Sequence, residues 1–386
     1  MRGTLAPLWR IWLIGLAMLV SGSVAASTCA WPDWVHFKQS MLSADGRVID
    51  SSSPQQVTVS EGQAYALFFA LVANDRPTFD KVLNWTQNNL AQGDLTRHLP
   101  AWQWGRLDSK GTATWGVLDT NAASDADLWI AYTLLEAGRL WQERSYTALG
   151  TVLARTIIDK ETAMLPGLGR TVLPGPVGFH PKEDTWRLNP SYVPLQVMQH
   201  LAHALPEQAE WNAVLGTSQR LVIETAPHGF SPDWVIYQRD KGFLPDQATK
   251  AESAYNAIRV YLWAGTLAPD ASSRMSALGP FKPLADFVAA HGYPPERVDT
   301  QTGIAESNAG NAGFSAAVAP FLAALGRPEL AQAQVQRARA LAQKEALGYY
   351  SQVLALFGLG YLDGLYRFDQ SGAVVPAWTS TCPAAH

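Results

Sequence analysis

Cysteine, charge and long apolar stretches are all scarce in this chain, and each scarcity excludes a class of protein. Only 2 of the 386 residues are cysteine, too few for a disulfide-dense scaffold or a cysteine-rich metal site. Charged residues make up 16% of the chain, where about a quarter is usual. The formal net charge is −4, so we expect no nucleic acid or other polyanion as a partner.

The clearest apolar run lies in residues 1–26, which have the pattern of a secretory signal. Arg2 and Arg10 supply a positive start, residues 11–20 are apolar, and Val24-Ala25-Ala26 offers a small-residue cleavage site. This run is too short to span a bilayer comfortably, so we expect a cleaved signal peptide and no membrane anchor. The mature chain, residues 27–386, should then be periplasmic or secreted.

Residues 27–386 contain no Ser/Gly-rich linker and no block of like charge, so we expect a single domain. Arg2 and Arg10 are the only charges lost with the signal, which leaves 27 basic and 33 acidic residues and a net charge of −6. Of the 15 Trp residues, 13 remain, and indole faces suit the faces of sugar rings. A neutral, sugar-like partner therefore fits the composition best.

The two cysteines, Cys29 and Cys382, lie near opposite ends of the mature chain. In an oxidising compartment we expect them to form a disulfide, which requires the two ends to meet in space. By chain entropy such a bridge contributes at most about 5 kcal/mol, and strain reduces that value. The alternative is two unrelated thiols near the termini.

Apolar residues recur with helical spacing along the whole mature chain, and sustained strand-like alternation is rare. This periodicity predicts twelve helices. They cover residues 31–43, 61–73, 77–91, 122–138, 142–160, 191–204, 207–224, 251–265, 271–290, 312–325, 328–344 and 348–363.

The predicted connections alternate in length, which indicates how the helices are arranged. Connections after the even-numbered helices are short, and short loops make antiparallel neighbours. The long connections cover residues 44–60, 92–121, 161–190, 225–250 and 291–311. Six hairpins with all long loops at one end describe an all-α fold, a closed (α/α)6 barrel. The long loops leave room for short β-hairpins, for example around Thr171 to Phe179.

Tryptophan is concentrated in the long loops, with Trp102, Trp104 and Trp115 in one loop and Trp186 and Trp234 in two others. Loops of this length within a compact domain are usually functional, so these indoles, Trp104 among them, are candidates for lining a binding cleft. The tryptophans within or at the ends of helices should belong to the core: Trp85, Trp129, Trp141, Trp211 and Trp263.

Glu61 stands where a polar loop turns into a strongly apolar helix. Ser60 and Gln63 have the spacing of a capping box, which would place Glu61 in the first helical turn. The apolar residues from Tyr65 to Val72 imply that this helix is buried. A carboxylate at the mouth of a buried helix is placed for chemistry. The alternative is that Glu61 only complements the helix dipole.

Polar helix starts should converge at the long-loop end of such a barrel, and they define the candidate site. They are Glu61, Ser124 to Asp127, Asn189 to Tyr192, and Glu252 to Asn256.

Asp125 is the natural partner for Glu61 within this set. Ser124 and Asp127 have the spacing of a second capping box, so we expect Asp127 to be structural. Asp125 has no such role, and a second carboxylate nearby would raise the pKa of Glu61. A proton donor and a second acid that handles water are the two carboxylates of glycoside hydrolysis.

The block from Ala123 to Ala131 resembles the diagnostic motif of glycoside hydrolase family 8, and Ser60 to Tyr65 is similar to that family's proton-donor motif. Three further stretches support the resemblance: Trp85 to Leu90, Gly229 to Trp234 and Tyr255 to Tyr261. It spans nearly the whole mature chain and is greatest to the periplasmic endoglucanases of bacterial cellulose-synthesis operons. The resemblance implies an (α/α)6 barrel, endo-hydrolysis of β-1,4-glucan with inversion, and no cofactor.

Carried onto this sequence, the resemblance implies that Glu61 is the general acid. It implies that Asp125 is the acid that holds the distorted sugar and shares the second catalytic role. Trp186, Tyr192 and Arg259 match positions near the central sugars and the attacking water. The implied partners are β-1,4-glucan (cellulose) chains, and a cellulose synthase or export complex is a further expectation.

Asn256 departs from the family pattern, in which many members have Asp there as the presumed general base. An amide cannot accept a proton at neutral pH, so Asn256 is expected only to bind substrate. We expect another carboxylate to activate water, with Asp125 first and then Asp184, Asp240 or Asp246. Slow turnover, or a substitution that traps substrate, is the alternative.

His200 and His203 lie three residues apart on a predicted helix, a spacing compatible with a metal ion. No third ligand is evident, so we expect a solvated helix face and no metal site. Two functions from different classes remain. One is a secreted endo-β-1,4-glucanase, with chitosanase or xylanase activity as a variant, and the other is a glucan-binding protein that has lost hydrolysis.

Overall fold

The computed structural model describes residue 3, residues 30–109 and residues 112–380. Cys29 and Cys382 lie outside the described residues, as does all of the expected signal segment except residue 3. No helix in the described ranges is both long enough and apolar enough to cross a membrane.

Thirteen α-helices are present in the described residues. In chain order they are α1 (Pro32–Met41), α2 (Ser60–Val72), α3 (Arg76–Leu90), α4 (Ser124–Leu140), α5 (Arg144–Glu161), α6 (Leu195–Ala204), α7 (Glu210–Glu224), α8 (Ile258–Thr266), α9 (Arg274–Leu278), α10 (Lys282–His291), α11 (Ala312–Ala324), α12 (Pro328–Lys344) and α13 (Tyr349–Leu362). They correspond to the twelve predicted helices, except that the predicted ninth helix is divided into α9 and α10.

Proline accounts for two departures from the predicted helices. A 3-10 turn at Gly279–Phe281 separates α9 from α10. Pro280 and Pro283 have no N–H to donate, so an unbroken helix would lose hydrogen bonds at both positions. Helix α6 begins at Leu195 rather than near residue 191, because the residue before Pro194 disfavours helical backbone.

The helices form two concentric rings. In the inner ring α2, α4, α6, α8, α11 and α13 each pack on the next, and α13 returns to α2. The outer helices α3, α5, α7, α9 and α12 each pack on the inner helix that precedes them, and α1 packs on α13. The predicted (α/α)6 barrel is therefore confirmed.

Composition explains which helices lie inside. Helix α2 buries all but one of its residues after Ser60, and α8 buries every residue, because both are apolar on all sides. Outer helices such as α3 and α12 bury one stripe only.

Aromatic rings fill the centre of the barrel. Phe68 of α2 lies 5.0 Å from Trp129 of α4 and 5.4 Å from Phe357 of α13, measured between ring centroids. Trp263 of α8 closes the group at 5.3 Å from Trp129 and 5.0 Å from Phe357. Each such pair contributes about 0.5–1.5 kcal/mol beyond its buried area. The prediction of a core position is confirmed for Trp85, Trp129, Trp211 and Trp263, whereas Trp141 is partly exposed.

Short antiparallel strands occupy the long loops and the C-terminal segment. They are β1 (Thr58–Val59), β2 (Gln103–Ser109), β3 (Thr112–Asp119), β4 (Thr162–Leu165), β5 (Gly169–Val172), β6 (Thr185–Leu188), β7 (Val235–Gln238), β8 (Gly242–Pro245), β9 (Glu252–Ser253), β10 (Val298–Asp299), β11 (Ile304–Ala305), β12 (Tyr366–Phe368) and β13 (Val374–Pro376). They pair as β1-β2-β3, β4-β5, β6-β7-β8, β9-β10-β11 and β12-β13. The hairpin expected around Thr171 to Phe179 lies earlier, in β4-β5.

The C-terminal hairpin β12-β13 is fixed to the end of the barrel opposite the long loops. Glu136, late in α4, accepts a hydrogen bond from the Val374 N–H at 2.6 Å, and Arg139 donates to the Val374 carbonyl at 2.7 Å. His200 of α6 is 4% exposed, with Nε2 3.2 Å from Glu136 Oε1. The expectation of a solvated face for His200 was wrong, because this side of α6 packs on α4.

Candidate active site

Glu61 is the second residue of α2 and is half-buried. The predicted capping box is not formed, since no side chain caps the start of this helix. The Gln63 amide is instead buried, accepting from the Val48 N–H at 2.7 Å and donating to Thr86 of α3 at 3.0 Å. The Ser60 hydroxyl donates weakly to Glu61, at 3.4 Å.

The surroundings of Glu61 keep its carboxyl protonated near neutral pH. Burial is the largest effect and the negative charge of Asp125 the next, and together they raise the pKa of Glu61 to about 8. A backbone hydrogen bond, the charge of Arg259 and a hydrogen bond from the Trp102 side chain act in the opposite direction. A carboxyl that still holds its proton at pH 7 is in the state that a general acid requires.

Asp125 lies in the first turn of α4 and is buried against Arg259 of α8. Arg259 Nη1 donates to Asp125 Oδ2 at 2.7 Å, and the Ala126 N–H donates to Oδ1 at 2.8 Å. Burial raises the pKa of Asp125, and the Arg259 guanidinium opposes that rise. The structure thus brings the two predicted carboxyl groups together, close enough for the charge of Asp125 to act on Glu61.

Arg259 connects the starts of four inner helices. Its Nη1 also donates to the Tyr65 hydroxyl at 3.0 Å, and its Nη2 donates to Ser191 Oγ at 3.0 Å and Asn256 Oδ1 at 2.8 Å. The Tyr192 ring lies 5.4 Å from the guanidinium carbon. We call Arg259, Asp125, Tyr65, Ser191 and Asn256 the arginine cluster. One buried guanidinium therefore fixes the relative positions of α2, α4, α8 and the turn before α6.

The side-chain oxygen of Asn256 receives two converging donors, Arg259 Nη2 at 2.8 Å and Asn189 Nδ2 at 3.1 Å. Its orientation is defined, because arginine only donates and the Asn189 oxygen already accepts from Ser191. Two donors suit a carboxylate oxygen as well as an amide oxygen. An aspartate at position 256 would therefore find two donors already in place for one of its oxygens.

The segment before α8 is a turn and not the predicted start of the helix, which begins at Ile258. The Asp233 carboxylate accepts from the N–H groups of Ala254, Asn256 and Ala257 at 2.8, 3.1 and 2.7 Å. Because one carboxylate satisfies three backbone donors, this turn is rigid and presents the Asn256 side chain to Arg259.

The other carboxylates considered as bases are engaged elsewhere. Asp184 forms an ion pair with Arg239 at 3.0 Å, and Asp246 is buried in an ion pair with Arg187 at 2.8 Å. Asp240 lies in the turn between β7 and β8. Within the described ranges, none of these three acids is hydrogen-bonded to the arginine cluster, which leaves Asp125 as its carboxylate.

Trp186 and Arg187 are neighbours on β6, so their side chains point to opposite faces of the sheet. Trp186 is 4% exposed, and its ring stacks on His180 at 4.8 Å between centroids. The Arg187 guanidinium instead covers Trp234 at 3.9 Å, and Trp234 lies 5.9 Å from Tyr192. In this structure the Trp186 ring is thus closed to a sugar, and Trp234 lies near the site instead, through its contact with Tyr192.

Indole rings are concentrated where the β2-β3 hairpin packs on α3. Trp104 stacks on Trp115 at 5.4 Å and meets the Trp85 ring edge-on at 5.3 Å, so it forms an inner layer. Trp102 and Trp115 are 37% and 45% exposed. Trp102 borders the proton donor directly through its hydrogen bond to Glu61.

Sequence reasoning missed several residues that build the site. Trp102 was not separated from its loop neighbours, although it lies just before the strand that pairs with β1 and hence beside the start of α2. Tyr65 was interpreted only as a residue of the buried helix. Asp233 was noted only as part of the stretch from Gly229 to Trp234. Their roles become visible only in the structure, where Tyr65 accepts a hydrogen bond from Arg259 and Asp233 holds the turn before α8.

The arrangement supplies acid–base chemistry. A protonated carboxyl, a second carboxylate held by arginine and exposed indoles are what hydrolysis of a glycosidic bond requires. In the described part of the chain, no three His, Cys, Asp or Glu side chains are grouped as metal ligands.

Comparisons with known proteins agree with this chemistry. The family described as "Glycosyl hydrolases family 8" matches residues 5–364. The chain is 46% identical to an endoglucanase of Escherichia coli O157:H7, over 98% of this chain and 99% of that protein. It is 45% identical to an endoglucanase of Xanthomonas axonopodis pv. citri, over 97% of each.

Solved structures show the same fold. The endo-1,4-D-glucanase from Vibrio fischeri ES114 is 44% identical and superposes with a TM-score of 0.86, covering 91% of this chain and all of that chain. The endo-beta-1,4-glucanase CMCax from Acetobacter xylinum, 26% identical, gives a TM-score of 0.68 over 85% of this chain and 96% of that chain. The fold, the paired carboxyls and these matches lead to one assignment: the chain is a glycoside hydrolase and belongs to glycosyl hydrolases family 8.

Proposed function

We propose that this protein is an endo-β-1,4-glucanase that cleaves cellulose chains within their length. The observation that carries the proposal is Glu61, which burial and Asp125 keep protonated near neutral pH at the loop end of the barrel. The relatives named as endoglucanases support the choice of substrate. Trp102, beside this acid, and Trp115 of β3 are exposed and offer apolar faces for glucose rings.

In the proposed mechanism Glu61 donates its proton to the glycosidic oxygen as the bond breaks. Asp125 stabilises the positive charge that develops on the sugar and accepts the proton of the attacking water. Both Asp125 oxygens already accept hydrogen bonds, one of them from Arg259, so few lone pairs are left to receive the proton of the attacking water. Water attacking from the face opposite Glu61 gives inversion. Hydrolysis is therefore slower than it would be with a carboxylate at position 256.

The test compares wild type with Glu61→Gln on carboxymethylcellulose, following the release of reducing ends. General acid catalysis contributes about 10²–10⁴-fold, so the variant should lose at least a hundredfold in kcat. Glu207→Gln, at an exposed position, is the matched control and should leave kcat unchanged. NMR of the newly formed end should show the α-anomer first. Full activity of Glu61→Gln, or β-anomer as the first product, would contradict the mechanism.

A second candidate is a glucan-binding protein without useful hydrolysis, and Asn256 is the observation that favours it. Binding of cello-oligosaccharides with no cleavage at high protein concentration would select this candidate. Rates of hydrolysis of chitosan and xylan, measured beside that of cellulose, decide whether the protein is a chitosanase or a xylanase instead.

We also propose that the protein is secreted to the periplasm and contributes to cellulose synthesis or export, with Cys29 and Cys382 joined. Two described residues near these cysteines support the bridge, because both contact α2. The Trp31 ring lies 5.7 Å from that of Phe69, and Trp378 donates to the Leu71 carbonyl at 3.2 Å. Peptide mapping without reduction should find the linked pair. Recovery of the protein with synthase subunits after cross-linking tests the proposed partner.

A further inference from the structure

A second pair of acids lies behind the catalytic pair. Asp127 is in the first turn of α4, and Glu161 is the last residue of α5. Both side chains are fully buried, and they lie close enough to act directly on each other. Among the described residues, no N–H or hydroxyl group donates to any of their four carboxyl oxygens. Each acid therefore has only the other as its partner.

The expected capping role does not explain Asp127. In a capping box its carboxyl would accept from the backbone of Ser124, but the Ser124 N–H donates to the Pro174 carbonyl at 3.0 Å. The Asp127 N–H, which a capping Ser124 hydroxyl would satisfy, donates to the Ala123 carbonyl at 3.1 Å. The Asp127 side chain is left for the contact with Glu161.

Chemistry fixes what such a contact must contain. An ionised carboxylate has no hydrogen to donate, so two carboxyl groups can hydrogen-bond only when one of them carries a proton. Two adjacent carboxylates buried without donors would each lose their hydration without compensation and would also repel each other. One retained proton leaves a single charge, so the repulsion disappears and the remaining carboxylate gains a hydrogen-bond donor.

The charged groups around the pair favour keeping that proton. The negative charge of Asp125, in the same helix turn, acts on both Asp127 and Glu161, and Glu161 acts on Asp127. Lys160 is the cation acting on Glu161, but it is exposed and donates to the Arg97 carbonyl at 3.3 Å. Burial first, and then the neighbouring negative charge, raise the pKa of Asp127 well above its usual value.

We propose that Asp127 and Glu161 share one proton as an acid–carboxylate pair, and that the single charge of this pair helps to keep Glu61 protonated. The two acids are positioning residues that do not touch substrate. Their effect on Glu61 rests on the proposed function, whereas the shared proton does not.

Infrared spectroscopy tests the shared proton without any need for hydrolysis. In a Glu61→Gln background, which removes the other protonated acid, the pair should give one protonated carboxyl C=O band at pH 7. Adding Asp127→Asn and Glu161→Gln together should remove that one band. Asp159→Asn, an exposed neighbour on α5, is the control and should remove nothing. No band lost, or two bands lost, would overturn the shared proton.

Labelling keeps this test decisive if the combined variant does not fold. Carbon-13 in the aspartate or glutamate carboxyls of otherwise unaltered protein shifts any protonated band of that residue type. A protonated carboxyl band at pH 7 that shifts on aspartate labelling supports the pair. So does a band that shifts on glutamate labelling in addition to the band of Glu61. Absence of both overturns it.

The effect on Glu61 is read from the pH dependence of kcat/KM. The double amide variant removes one buried negative charge, so the fall in activity at high pH should move to lower pH by up to about 1 unit. Single amides leave one carboxylate in the pair and should barely move it. An unmoved profile in the double variant would overturn the link to Glu61 while the infrared result stands. Absence of hydrolysis in every variant, wild type included, would refute the proposed function and this link together, but not the shared proton.

Discussion

The two ends of α4 offer a comparison, because each carries a buried carboxylate paired with an arginine. Asp125 begins the helix and meets Arg259 at 2.7 Å, and Glu136, about 17 Å along the axis, meets Arg139 at 2.6 Å. At the far end the environment is balanced. Glu136 accepts from Arg139 Nε and Nη2 and from the Val374 N–H, and His200 Nε2 lies beside it.

The loop end is not balanced in this way. Glu61 and Asp125 are close to one buried arginine, Asp127 and Glu161 lie behind them, and the pKa values of all four acids are raised. A carboxylate whose oxygens are all satisfied holds structure together, and raised pKa values clustered at one place mark chemistry. The same residue types therefore serve stability at one end of the helix and reactivity at the other.

The sharpest test of this contrast changes acids at the reactive end. Asp125→Asn should lower kcat on soluble cellulose at least a hundredfold, because it removes the carboxylate of the arginine cluster. Asn256→Asp should raise kcat by about tenfold or more, because Arg259 and Asn189 already aim two donors at that oxygen. Stopped assays of reducing ends under substrate saturation measure both.

Gln247→Glu, which adds a carboxylate at an exposed turn outside the arginine cluster, is the control and should leave kcat unchanged. A fully active Asp125→Asn protein would remove Asp125 from the mechanism. An Asn256→Asp protein no faster than wild type would show that position 256 does not limit turnover.

The corresponding change at the far end should affect stability and leave kcat alone. Glu136→Gln replaces a buried carboxylate that faces Arg139 and a backbone N–H, so the free energy of unfolding should fall by about 3 kcal/mol. Urea unfolding followed by tryptophan fluorescence measures the loss. Glu224→Gln breaks an exposed ion pair with Arg220 and should cost no more than about 1 kcal/mol. A Glu136→Gln protein with normal stability and impaired kcat would reverse the comparison.

Much of the fold was predictable because it depends on patterns local to the sequence. Helices apolar on all sides, such as α2 and α8, had to lie inside, and the alternation of loop lengths set the order of hairpins. The start of α8 was not predictable, because the backbone N–H groups just before it donate to Asp233, which lies on a different loop. Short hairpins were expected in the long loops, but β2-β3 was not located, since its pairing with β1 depends on the barrel beneath it.

Glu61 and Asp125 come together as predicted, because each begins an inner helix, and Arg259, which only the family resemblance implied, joins Asp125. The prediction failed where one spacing was compatible with two different roles for the same residue. Both capping boxes had the right spacing, yet Gln63 and Asp127 found partners on neighbouring helices. The spacing of residues along the chain does not show whether a residue of another helix will compete for the same side chain.

The pH dependence of hydrolysis should distinguish the loop end of α4 further from its far end. Glu61 works only when protonated and its pKa is raised to about 8, so kcat/KM should hold up to about pH 8 and fall above it. In the Asn256→Asp protein a further nearby carboxylate should move this fall to higher pH. Initial rates across a buffer series of constant ionic strength measure both curves. A fall already complete by pH 6 in wild type would mean that Glu61 is ionised at neutral pH and is not the donor.

The far end should respond to pH in the opposite direction and more weakly. Burial lowers the pKa of His200 below its usual 6.5, so the folded protein holds this ring neutral while the unfolded chain takes up a proton. Stability from this residue is therefore complete above pH 6.5 and is lost as pH falls, by at most about tenfold in the unfolding equilibrium per pH unit. His200→Gln should flatten urea midpoints between pH 7 and pH 5, whereas His203→Gln, at an exposed position on the same helix, should not. If the two variants behave alike, acid sensitivity originates elsewhere, and the far end owes its stability to Glu136 and Arg139 alone.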